Sequence, residues 1–119
     1  MNEKLQYLKN NQIDVDAGLG FLGDESMYNE ILLDFKNGFI NQMNEIKTAY
    51  ESGDIANYSI LVHALKSNCR TLGINTLADM AYEHELKSKA NDINYVNANI
   101  TALFTKANEV LTILTNYFN

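Results

Sequence analysis

Apolar residues recur along this chain at intervals of three and four, the spacing of one buried helical face. No stretch alternates with period two, so no strand is expected. Short polar clusters break the pattern. Ser52-Gly53-Asp54 offers a C′ glycine followed by an aspartate N-cap, Gly73-Ile74-Asn75 repeats that logic with an asparagine N-cap, and Asn91–Asn94 does so again. The pattern predicts helices over 25–51, 55–72, 76–89 and 93–118. Ahead of them, "VDAGLGFL" reads as a short helix with Asp14 and Asp16 as caps and Gly23 at its end, and residues 1–11 add a weaker helical segment. Four long helices joined by short turns lie antiparallel to their neighbours. The expected fold class is therefore all-α, an up-and-down antiparallel four-helix bundle with a short N-terminal helical extension. No internal repeat, linker or low-complexity segment divides residues 1–119, so one domain is expected.

Composition sharpens this picture. The chain has no proline, which suits helices that run nearly throughout. Its 9 basic and 15 acidic residues give a net charge of −6, a surface that repels a phosphate-coated polymer, so no nucleic acid is expected as partner. The single cysteine, Cys69, excludes an internal disulfide and a four-cysteine zinc site. "MNEKLQYLKN" lacks the apolar core of a signal peptide, and no apolar run approaches the roughly 20 residues of a bilayer span. A cytoplasmic protein without a membrane partner is expected.

Candidate chemistry centres on "LVHALKSNCRTLG", residues 61–73. With about 100° per residue, Tyr58, Leu61, Val62, Leu65, Cys69 and Leu72 fall opposite His63, which therefore faces solvent. Lys66, Ser67 and Arg70 fall within about 60° of His63 on the same outward stripe, away from the core. A nucleophilic imidazole flanked by two cations and a hydroxyl suits a phosphoryl carrier, because the cations offset the added negative charge. An idle surface histidine on a solvated face is the plainer alternative. His84 differs. Leu77, Met80 and Ala81 share its side of the helix, so it is expected in the core with its ring hydrogen-bonded. A zinc site from the two histidines would need both on one surface, and their faces differ.

"HALKSNCRTLG" resembles the signature of histidine-containing phosphotransfer (HPt) domains, through His63, Leu65, Lys66, Ser67, Leu72 and Gly73. The following helix is similar to the family pattern at Leu77, Ala78, Ala81 and Glu85, and the upstream stretch at Gly18, Phe21, Gly23, Leu32 and Phe35. The resemblance runs over roughly residues 14–114. It departs from the family at Ser67, where many members carry glycine, and at His84, where an apolar residue is usual.

The resemblance implies a two-component phosphorelay of bacterial type. His63 would accept a phosphoryl group from the phosphoaspartate of a receiver domain, in a response regulator or hybrid histidine kinase, and pass it to another receiver. Nε2 would be the attacking atom. Lys66 and Arg70 would steady the phosphoryl oxygens, and Ser67 and Ser59 would belong to the docking face. The chain would carry no metal or cofactor of its own, with magnesium supplied by the receiver, and would act as a monomer. It would be a phosphocarrier and not an enzyme, since no Gly-rich phosphate loop is present. The alternative is a helical adaptor that docks signalling partners without phosphotransfer.

Overall fold

A computed structural model of the chain describes residues 3–119. Six helices follow one another: α1 (Glu3–Asn10), α2 (Val15–Leu22), α3 (Glu25–Glu51), α4 (Ile55–Leu72), α5 (Asn75–Lys89) and α6 (Ile93–Tyr117). No strand occurs among the described residues. The long helices are the four expected, and two shorter ones precede them. The segment predicted over 1–11 is α1; Met1 and Asn2 lie outside the described residues.

Aspartate carboxylates start four of the helices by accepting a free backbone amide. Asp14 accepts from Ala17, Asp24 from Met27, Asp54 from Asn57 and Asp92 from Tyr95. The start of α5 differs from expectation. Asn75 is its first helical residue, and Ile74 takes the cap position with no side-chain bond. Ile74 is buried there. Burying an isoleucine is worth about 1.5–3 kcal/mol and a cap typically about 1, so the core claims the position.

Buried residues run at alternating steps of three and four along α4 (Tyr58, Val62, Leu65, Cys69, Leu72) and α6 (Val96, Ile100, Leu103, Ala107, Val110, Leu114, Tyr117). Such a straight seam lets one helix lie along another. Helix α3 packs against α4 and α6, α4 against α5, and α5 against α6, while α2 covers α3 and α4 and α1 rests on α6 and α2. One hydrophobic cluster fills the space between them. No helix among the described residues is long and apolar enough to cross a membrane.

The C-terminal end of α4 is clamped by the N-terminal segment. The Tyr28 hydroxyl donates to the Leu72 carbonyl at 2.8 Å, and the Asp14 amide donates to the Gly73 carbonyl at 2.8 Å. These carbonyls would otherwise be left unpaired at the helix end. Gly73 has φ +81°, and a Cβ there would stand 2.0 Å from the Asp14 carbonyl oxygen. Gly73→Ala should therefore lose on the order of 2 kcal/mol or more, because a left-handed backbone and a clash act together. Gly38, inside α3 with open space around it, should instead gain about 0.5–1 kcal/mol on change to alanine. Urea midpoints for the two variants should move in opposite directions.

Candidate functional site

His63 lies mid-way along α4, and its side chain is 54% exposed. Helix α5 brings Glu85 to it. The buried positions of α5 are Leu77, Ala78, Ala81, His84, Glu85 and Ser88, so Glu85 faces inward among apolar neighbours, with its side chain only 4% exposed. A buried carboxylate must be paired. Glu85 Oε1 accepts from Lys66 Nζ at 2.8 Å; Oε2 accepts from Lys89 Nζ at 2.8 Å and from His63 Nδ1 at 2.7 Å. Burial alone would raise the carboxyl's pKa. Hydrogen bonds from Lys66, Lys89 and His63 outweigh it and hold the group ionised, with a pKa of about 2.

This bond selects the histidine tautomer. An ionised carboxylate oxygen only accepts, so Nδ1 carries the proton. Lys66 Nζ also stands 3.2 Å from Nδ1. With Nδ1 protonated that approach is two donors sharing one anion, and not a hydrogen bond between them. Nε2 is the ring nitrogen that this contact leaves away from the carboxylate, on a half-exposed side chain.

The other expected site residues separate by which side of α4 they occupy. Relative to His63, Ser59, Lys66 and Arg70 fall at roughly −40°, −60° and −20°. Helix α5 lies on that side and engages all three. Ser59 was expected on an exposed docking face; it is instead buried, with its hydroxyl donating to Ser88 Oγ at 2.6 Å, and so is unavailable to a partner. Lys66 is half-buried, its side chain 13% exposed, and not the free outward cation that the helical wheel suggested. Arg70 runs to Asp79, 3.7 Å away, and to the Tyr82 ring. Ser67 falls at roughly +40°, clear of α5, and is exposed one turn beyond His63.

His84 is buried as expected, and the partner of its ring is the Tyr58 hydroxyl, 2.8 Å from Nδ1. The Tyr95 ring meets it edge-on. Burial lowers the pKa of the imidazole below its ordinary 6.5, against smaller opposing effects from the Asn99 backbone and Glu83.

Reading one helix at a time misses the roles of Glu85, Lys89 and Tyr82. One signal was present: Glu85 shares the α5 stripe with Leu77, Ala81 and His84, and a charge in such a stripe demands partners. No family model matches the chain, and neither curated proteins nor solved structures give a match to it.

Two outcomes follow from these contacts. Lys66→Ala should cost about 1–3 kcal/mol, because a buried carboxylate loses one of three donors; urea denaturation of the parent and variant measures it. The second concerns acid. Unfolded, the His84 imidazole takes a proton near pH 6.5, whereas the folded site resists it. The folded state then binds fewer protons, so stability should fall as pH drops below 6.5. Glu85 should add its own loss between its ordinary 4.5 and about 2, where its pairing is finally protonated away. His84→Gln should flatten the first decline and leave the second, and a curve unchanged by the substitution would contradict the assignment.

Proposed function

We propose that this chain is a phosphocarrier of the HPt type, with His63 as the phosphoacceptor. The observation that carries the reading is the 2.7 Å bond from His63 Nδ1 to the buried Glu85 carboxylate, which directs the Nε2 lone pair outward. On this reading the four long helices form the up-and-down bundle of that family, and α1 and α2 its extension. The partner is a receiver domain, met by a monomer in the cytoplasm.

In the transfer, Nε2 attacks the phosphorus of a receiver's phosphoaspartate in line. The Nε2–P bond forms as the P–O bond to the aspartyl carboxyl breaks, and the electron pair leaves with that carboxylate. The imidazole becomes cationic and keeps its Nδ1 proton, and Glu85 balances the new charge from 2.7 Å. The reverse sequence loads a second receiver. The receiver brings the magnesium. Lys66 rests on Glu85 and reaches the incoming phosphoryl group by a swing of its flexible stem, after which Lys89 and His63 remain on the carboxylate. Arg70 assists from the rim. Ile60 and Ala64 on α4 and Leu86 on α5 are exposed apolar residues on the two helices that hold the site, and Ser67 adds a small polar group one turn from the ring.

Incubation with a phosphorylated receiver and magnesium should place one acid-labile, base-stable phosphate on the parent chain. His63→Gln should take none while melting within a few degrees of the parent, because the glutamine amide can donate to Glu85 in place of Nδ1. Label on the glutamine variant would place the acceptor elsewhere. A parent that binds receivers and never takes label is the adaptor instead.

A further inference from the structure

Tyr82 stands one turn before Glu85 on α5 and is 37% exposed. Two cations from α4 converge on its ring. Lys66 Nζ and Arg70 Cζ each lie 5.1 Å from the ring centroid, inside the range of a cation–π contact. Lys66 and Arg70 are four residues apart, and like charges at that spacing repel one another. That repulsion is weak, and each cation has a partner that offsets it. Glu85 holds Lys66 from below. Beyond the ring, Arg70 meets Asp79 at 3.7 Å, an exposed pair that is weak in water. The aromatic face attracts both charges and therefore offsets their repulsion.

Resting on the phosphocarrier reading above, we infer that Tyr82 is a positioning residue for phosphoryl transfer, acting through Lys66 and Arg70. Lys66 must leave Glu85 Oε1 to meet the phosphoryl oxygens. The ring gives its ammonium a partner throughout that swing, and it holds the Arg70 guanidinium on the same ring as a second positive charge on this side of α4. Tyr82 itself touches no reacting atom. Its phenol hydroxyl has no part in this role, because the attraction comes from the ring face.

The test uses the full chain and a receiver domain from the same organism, phosphorylated with acetyl phosphate in the presence of magnesium. Single-turnover rates are compared for the parent, Tyr82→Phe and Tyr82→Leu, with receiver concentration varied to separate docking from transfer. Tyr82→Phe keeps the ring face and should transfer at the parent rate. Tyr82→Leu keeps apolar bulk without the face, and its maximal rate should fall about three- to tenfold, the kinetic equivalent of one or two cation–π contacts, with half-saturation unchanged. In a Lys66→Met/Arg70→Met background, Tyr82→Leu should cause no further loss.

Parent-like transfer by Tyr82→Leu overturns the inference. So does a phenylalanine variant as slow as the leucine one, a loss confined to half-saturation, or a full loss that persists when both cations are gone. If the double-methionine chain does not fold, the phenylalanine–leucine comparison decides alone. A parent that takes no phosphate overturns the phosphocarrier reading itself, and this inference with it.

Discussion

A carboxylate drawn out of water between two helices has to be surrounded by donors, and the Glu85 carboxylate has three within 2.8 Å. The cost of isolating such a charge far exceeds the net value of most single contacts, so its partners are constrained rather than merely favoured. Lys66 is pulled down against α5, Lys89 is folded back along its own helix, and the His63 ring is turned until Nδ1 meets Oε2. The exposed chemistry of the surface follows. The anion decides which imidazole nitrogen keeps a proton and which one faces solvent with a lone pair.

Around this charge the two helices build a graded interface. At the N-terminal end of α4, Ser59 donates to Ser88, whose hydroxyl in turn reaches the His84 carbonyl at 2.6 Å. Deeper in, Tyr58 meets the His84 ring. Toward the C-terminal end the contacts become cationic and aromatic, with Lys66 and Arg70 over Tyr82. The end of α4 is then fastened by Tyr28 and Asp14 through the Leu72 and Gly73 carbonyls. For the proposed transfer, a fixed α4 matters because a displaced imidazole loses its in-line approach.

Helix α4 shows how far one chain segment can be read alone. Its apolar stripe predicted the burial of Tyr58, Val62, Leu65, Cys69 and Leu72, together with the exposure of His63, since both follow from the 3.6-residue turn. The same wheel put Lys66 outside, and the resemblance put Ser59 on a docking face, whereas Lys66 is half-buried and Ser59 buried. A wheel divides a helix into a core side and an outer side. It cannot say how far a neighbour climbs over the boundary, and α5 climbs over the side that carries Ser59, Lys66 and Arg70. Asn75 is a comparable case: cap chemistry pointed to it, but the core took Ile74 and moved the helix start.

The sequence by itself determined that the chain is helical, where its turns fall, and that His63 would be reachable while His84 would not. Those properties are local, set by periodicity and by capping residues a few positions apart. Only the tertiary structure decided that Glu85 would anchor the site, that Nδ1 would hold the proton, and that Tyr82 would gather two cations. Residues 63, 66, 82 and 85 span two helices and the turn between them, and their contacts depend on the angle and register at which α5 settles on α4. Packing of the whole core sets that register, and no periodicity within either helix records it.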